Sequence, residues 1–504
     1  MSMQVSVVKP SYLLVAYAAI VVGFCLTFVS GMFALTVEPD EVWNLMSTMK
    51  AFGLPLPETA ALNSPVTTTG GLHFVLHGLI ARWYAGDIVI HRLVSIGTTL
   101  LLLWLVFITV ERQVKDPVLA AAGTALFASA PGFLLQASLA TSEIIATTVF
   151  LLATLFWARF GTRSVGMAFF GGVLFGVACA TRMTCLSMLP AVLVWSMLAR
   201  RGWITGFVYP MLAVVTAVLV FVAFAAVYFA AFGDTPWSEF LVASGSASGI
   251  NRPSLGLLMR ANYLVVGDGI VPLLAILALA GWYLTRLDDG IEERKVIEIC
   301  GFLLLAGLTA WLAWVIKAPI SHIRYLWPAI PFLWLCAILL GFSAIGRIKN
   351  SRATLIVHSV VILACIAQGL INVRMIAVGD SLALVYESAR GTRLANPKGY
   401  FELRNDQRSM AELLSSLPPP ANVYAFSEPA AYPMTYMSGR VVKAFPQVGR
   451  ASSGDYLLVQ PSDLVIWRTK WEFVGWLQNN ATVEQQYGGY ALYRVHDQAP
   501  WSGR

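Results

Sequence analysis

Three acidic residues fall within four positions at Glu38-Pro39-Asp40-Glu41, directly after an apolar run over residues 12–36. Carboxylates placed there have two readings. Asp40 is a good helix N-cap, and Glu38 and Glu41 favour a helix N-terminus. They also stand where a lipid-borne substrate would present its head group, because Val42 to Phe52 is amphipathic and suited to a membrane surface. A carboxylate within hydrogen-bond reach of a hydroxyl can act as its general base. Glu143 opens a second such place, at the mouth of a run that is apolar as far as Trp157. A carboxylate at the edge of hydrocarbon is costly and points to function. A first-turn acid behind a Thr141 or Ser142 cap is the plainer alternative.

Cations of the kind that grip phosphate accompany these acids. Arg92 begins one apolar run, Arg182 interrupts another, and Lys317, His322, Arg324 and Tyr325 precede a third. A guanidinium holds phosphate through two parallel hydrogen bonds, although arginines at span ends also snorkel to lipid head groups. Arg252 and Arg260 lie in a Gly/Ser-containing loop that is either a cover for a bound anion or a solvated connector. His73 and His77 are four apart and share a helix face, with His91 further on. Such a pair can enter a metal site, but no third ligand stands at motif spacing. Contact with sugar or phosphate suits the pair equally, and a divalent cation is left open as a cofactor.

The elements that must position these groups are apolar helices. Of 504 residues, 58% are hydrophobic and 12% charged, with a mean hydropathy of +0.70. Soluble domains carry about 25% charge, so a water-soluble globule is excluded for most of the chain. Eleven segments are apolar and long enough to be read as spans: 12–36, 91–110, 118–135, 142–158, 166–181, 183–199, 205–231, 264–285, 298–316, 324–343 and 354–376. The pair around Thr181-Arg182 reads as a short hairpin or as one kinked helix. With the N-terminus inside, the short inner loops hold Arg112, Lys115, Arg159, Arg163, Arg200, Arg201, Arg286, Arg294, Lys295, Arg347, Lys349 and Arg352. This asymmetry puts the loops 37–90 and 232–263 and the tail outside. The net charge of +7 resides largely in these loops, so nucleic-acid binding is not expected. The six cysteines all lie in apolar runs and form no disulfide or zinc pattern.

After residue 376 the composition becomes that of an ordinary soluble domain. A helical pattern runs from Gln407 to Leu417 and stops at three prolines. Strand-like runs follow at Asn422–Phe426, Arg440–Ala444, Tyr456–Val459 and Tyr490–Val495. The expected architecture is an α-helical polytopic membrane domain over 1–376 and an extracytoplasmic α/β domain over 377–504.

Together these features resemble the GT-C superfamily of membrane glycosyltransferases, in particular bacterial relatives of the protein O-mannosyltransferases and of the lipid A aminoarabinose transferase. Pro39-Asp40-Glu41 matches the family's acidic motif after the first span. His91-Arg92-Leu93-Val94-Ser95 looks like its entry to the second, and Glu143 stands where a second acid, usually Asp, is found. Thr181-Arg182 resembles the pair that follows its glycine-rich span, and Arg324-Tyr325-Leu326-Trp327-Pro328 its Arg-Tyr-x-x-Pro motif. Asn63-Ser64-Pro65 departs from the usual Pro-Pro pair. No Trp-Trp-Asp motif is present, which speaks against the oligosaccharyltransferase branch.

The resemblance implies an inverting transfer, at the outer face of a bacterial inner membrane, from a polyprenyl-phosphate sugar to a glycan, lipid or protein hydroxyl. Asp40 is then the base, and Glu41 and Glu143 orient the acceptor or a cation. Arg92, Arg182 and Arg324 neutralise the leaving phosphate. A transporter or flippase of lipid-linked sugar is the alternative from another class; acids gathered at one surface and the absence of an evident repeat disfavour it. A lipid-linked glycan polymerase or ligase shares the donor chemistry.

Overall fold

The computed structural model describes residues 39–54, 70–84, 87–128, 133, 137, 139–200, 202–233, 291–317, 327, 329–345, 359, 400–425, 428–444, 451–459, 471–488 and 490–497. Two short helices come first, α1 (Pro39–Ala51) and α2 (Gly71–Tyr84). A helical bundle follows: α3 (Ile88–Val114), α4 (Pro117–Ala128), α5 (Ser142–Phe156), α6 (Val165–Thr181), α7 (Pro190–Ala199), α8 (Tyr209–Phe232), α9 (Ile291–Lys317) and α10 (Ala329–Ile345). Eight of the eleven expected spans fall on these helices. The segments 12–36, 264–285 and 354–376 lie outside the described residues, Ser359 apart. Three helical stretches, Ile88–Val114, Ser142–Gly161 and Ile204–Phe232, are long and apolar enough to cross a membrane.

Local chemistry sets the helix ends. Asp87 caps α3 by accepting from the Val89 amide, and Lys115 ends it in a left-handed conformation with φ 58°. Ser164 caps α6 through the Met167 amide. Threonine hydroxyls within the bundle turn back onto carbonyls four residues earlier, as at Thr109, Thr124, Thr154 and Thr181, which satisfies them where water is absent. The stretch around Arg182 resolves into two helices. Thr181 ends α6, Arg182 is extended at φ −145° and ψ 119°, and a 3-10 turn over Met183–Met188 leads into α7.

Small residues bring α6 and α8 together. A Cβ on Gly172 would meet the Ala213 carbonyl oxygen at 2.5 Å, and one on Gly176 would meet Val220 and Ala217. This four-residue spacing of small groups lets backbones approach where apolar side chains have no solvent to escape.

The tail forms α11 (Tyr400–Ser416), β1 (Val423–Ala425), α12 (Glu428–Ser438), β2 (Val442–Ala444), β3 (Tyr456–Val459), α13 (Trp471–Asn480), β4 (Ala481–Tyr487) and β5 (Tyr490–Val495). The sheet order is β2-β1-β3-β5-β4, with β2, β1 and β3 parallel and β5 and β4 antiparallel. Met410, Leu414, Ala431 and Met434 cover one face against Val423, Leu458 and Leu492. Leu477 covers the other against Leu457, Val459 and Val495. Burial on both faces explains why β3 is a continuous apolar run. The expected strands at β1, β2, β3 and β5 are present, and β4 is a strand that the sequence pattern missed.

Candidate functional site

The acidic helix α1 begins at Pro39, so Asp40 lies inside the first turn instead of capping it. Polar residues of the amphipathic α1 are packed inside the protein. Glu41, Asn44, Ser47 and Thr48 are buried together with Val42, Leu45, Met46 and Met49. Neighbours cover these positions, and Lys50 stays exposed. The tail packs α12 onto α1, with Tyr432 and Met437 against Val42, Met46 and Ile88, and Trp43 beside Tyr432 at 5.3 Å. Tyr436 and Ala81 meet Leu45 and Met49.

Glu41 is sealed. Arg92 donates to it twice, from Nε to Oε1 at 2.8 Å and from Nη2 to Oε2 at 2.7 Å, and the Ala140 amide donates to Oε1 at 2.8 Å. The acid is 0% exposed and the arginine 1%. Two parallel charge-assisted bonds of this kind are among the strongest side-chain contacts, and they offset the cost of removing both charges from water.

Glu143, the first-turn acid of α5 behind Thr141, pairs with Arg182 at 3.0 Å. Arg182 also donates from Nη1 to the Ser142 hydroxyl at 3.0 Å and from Nε to the Trp327 carbonyl at 3.2 Å. Thr184 donates to the same carbonyl at 3.0 Å. The extended backbone at Arg182 thus lets one guanidinium tie α5, the α6 exit and the segment that follows Arg324. Arg324 itself, Tyr325, His322, Arg252 and Arg260 lie outside the described residues. Lys317 closes α9, and Asp40 and Lys317 are described at the level of the backbone only.

Three histidines stand between the two pairs. His73 and His77 share a face of α2 with ring centroids 4.2 Å apart, and His77 stacks on His91 of α3 at 5.0 Å. The His77 and His91 Nδ1 atoms are 2.7 Å apart, so one carries the proton and the other accepts it. Burial takes the His73 pKa down to about 3, against the opposing pull of the Glu143 carboxylate, and holds His77 well below its usual value. Both rings are therefore neutral at pH 7. His73 and His77 meet at a tilt of 48° and His77 stacks on His91, and among the described residues no group of three or more His, Cys, Asp or Glu side chains is arranged to hold a metal ion.

Glycines allow this gathering. The Gly70 amide donates to the Thr181 carbonyl at 2.9 Å, and a Cβ there would lie 2.0 Å from the Ala180 oxygen. The start of α2 is thereby pressed against the end of α6, beside Arg182. On the other side, the Tyr436 hydroxyl accepts from the Ile88 amide at 3.0 Å, so the tail holds the α3 N-terminus one turn before Arg92. Burial pushes the Tyr436 pKa up to about 12, which keeps the hydroxyl protonated.

Of the expected site residues, Glu41, His73, His77, Arg92, Glu143 and Arg182 come together at one end of the bundle. The partners that sequence reasoning missed are the Ala140 amide, the Ser142 hydroxyl, the Trp327 carbonyl and Tyr436, whereas His91 was named beside His73 and His77. Backbone groups leave no trace in side-chain chemistry.

No family model and no curated protein matches the chain. Solved structures do. The crystal structure of ArnT from Cupriavidus metallidurans bound to undecaprenyl phosphate superposes with a TM-score of 0.59 at 15% identity, covering 97% of this chain and 99% of that one. Its apo form gives 0.58 at 14% identity, with the same coverage. The archaeal oligosaccharyltransferase AglB from Archaeoglobus fulgidus, in complex with an inhibitory peptide and a dolichol-phosphate, gives 0.50 at 11% identity, covering 98% of this chain and 75% of that one. The chain shares the fold of these structures along nearly its whole length.

Proposed function

We propose that the protein is a glycosyltransferase that moves a sugar from a polyprenyl-phosphate donor to a hydroxyl acceptor at the outer face of the membrane. The observation that carries this reading is the gathering of two acid–arginine pairs and a neutral histidine stack at one end of an apolar bundle. The full-length likeness to ArnT, a structure with a bound polyprenyl phosphate, supports the choice of donor.

In this reading the acceptor oxygen attacks the anomeric carbon opposite the phosphate. The carbon–oxygen bond to phosphate breaks, the phosphate stays on the lipid, and Asp40 takes the acceptor proton. Asp40 is suited to this because its neighbour Glu41 fixes α1 against the Ala140 backbone, just before α5. Arg182, with Arg324 close in sequence to the carbonyl it binds, supplies preorganised positive charge for the leaving phosphate. Arg92 contributes mainly by holding Glu41. The neutral histidines offer hydrogen bonds without adding charge.

The test is transfer by the purified full-length chain from a polyprenyl-phosphate sugar to added acceptor, with the co-purifying lipid identified by mass spectrometry. Asp40→Asn is expected to lower turnover by at least about a hundredfold, the scale of general-base catalysis. Full transfer by Asp40→Asn would sink the assignment of the base. A co-purifying lipid without phosphate would sink the donor class.

A further inference from the structure

At the far end of the bundle, α5 does not end as an ordinary helix. It passes into a π-helical turn over Trp157–Gly161, and a short turn leads to Ser164 and α6. The wider turn brings two arginines to one ring. The Arg159 guanidinium carbon lies 5.2 Å and that of Arg163 5.0 Å from the centroid of Phe160. Both arginines are exposed, and no carboxylate is paired with either among the described residues. A third cation, Arg200, stands at the end of α7. It is held by the Ala158 carbonyl at 3.3 Å and by Glu298 at 3.2 Å.

The platform is built. A Cβ on Gly161 would sit 2.2 Å from the Trp157 ring, so this glycine is what lets the indole lie under the turn. The Trp157 indole N–H donates to the Ser196 hydroxyl at 3.1 Å. A small cleft of about 20 Å³ opens at the same turn, with Trp157, Trp195, Ser196 and Arg200 in its wall. Around it the surface is apolar and exposed: Val165, Phe169, Phe170, Leu198 and Trp203.

We infer that this turn is a binding site for an anionic phospholipid, with the lipid phosphate between Arg159 and Arg163 and the acyl chains along the exposed apolar flank of α6. Two guanidiniums sharing one aromatic ring repel each other, and an anion between them relieves that repulsion. The aromatic platform fixes their direction at little entropic cost. The apolar flank decides the source of the phosphate, because a soluble anion makes no use of Phe169 or Phe170. The site is separate from the acid–arginine cluster: α5 carries Glu143 in its first turn and runs its whole length before reaching Arg159.

The full-length chain is titrated with phosphatidylglycerol and, separately, with phosphatidylcholine, and the tightest binding step is read by native mass spectrometry. Phosphatidylglycerol is expected to bind in preference. Each basic side chain at a lipid surface is worth a factor of roughly five, so Arg159→Gln or Arg163→Gln weakens the step about fivefold and the double variant on the order of thirtyfold. The double lysine variant keeps the preference for the anionic lipid while losing part of the affinity. Unchanged affinity in the double glutamine variant, or equal binding of the two lipids by the wild type, would overturn the site. Displacement of phosphatidylglycerol by millimolar inorganic phosphate would assign it to a soluble anion and overturn the lipid. None of these readouts depends on glycosyl transfer.

Discussion

The two buried acid–arginine pairs are built from the same residue types and do different work. Glu41–Arg92 is a parallel fork: both carboxylate oxygens and two guanidinium nitrogens meet, and the acid's third bond comes from a backbone amide. Glu143–Arg182 is open. One nitrogen serves both the acid and Ser142, and another reaches a carbonyl on a separate segment. A parallel fork fixes two helices relative to each other. An open pair links three pieces of chain and divides its arginine between one acid and two neutral partners, which is the arrangement better able to accept an incoming anion.

The sharpest way to break this contrast is to remove one acid at a time. Glu41→Gln removes the carboxylate charge that Arg92 grips through two parallel bonds in a dry site, and a loss of about 3–5 kcal/mol in unfolding free energy is expected. The double variant Glu41→Gln, Arg92→Met should recover much of it, because the guanidinium charge is then removed as well. Thermal or denaturant unfolding of the full-length chain checks both. Equal losses for Glu41→Gln and Glu143→Gln would erase the distinction.

Acid probes the space between the pairs. His73 stays neutral in the folded chain down to about pH 3, while an unfolded histidine takes up its proton near pH 6.5. Between those values the unfolded state binds more protons, so stability falls as pH falls, by about 1.4 kcal/mol per pH unit for this one residue. The dependence vanishes below about pH 3, where both states are protonated. His73→Gln should flatten the stability profile between pH 6.5 and 5; an unaltered slope would remove His73 as its source.

Arg182→Lys keeps the charge and loses the fork. An ammonium cannot reach Glu143, Ser142 and Trp327 with the same planar geometry, and a loss of about 1–2 kcal/mol is expected. The same change at Arg92 should cost more, because its pair with Glu41 depends on both parallel bonds. Finally, Tyr436→Phe removes a single hydroxyl acceptor, a loss of about 1 kcal/mol. It should appear as faster hydrogen exchange at the Ile88 amide with the rest of α3 unchanged.

How much of this was legible varies with the range of the interaction. β3 and β5 were readable to the residue, because their apolar runs follow from local burial. β4 was not: Thr482 to Gln486 are exposed, and a polar edge strand has no periodicity to reveal it. The apolar helices were readable from composition, and the carboxylates at their ends from the cost of placing charge beside hydrocarbon. The pairings were hidden, since Glu41 and Arg92 are 51 residues apart and nothing local selects one arginine over another. The burial of α1 was hidden for the same reason. Its polar face looks wet until Arg92 and the Ala140 amide, distant in sequence, close over Glu41, while α12 covers its apolar side.

That overlay bears on how the molecule is made. The bond from Ile88 to Tyr436 joins positions 348 residues apart. A ribosome releases Ile88 long before Tyr436, and every helix of the bundle is synthesised in the interval. The entry to α3 and the cover over α1 therefore remain unfinished until the tail has been translated and folded. A chain truncated before α12 retains the sequence of the acid–arginine cluster but lacks its roof, so completion of the site waits on the synthesis of α12.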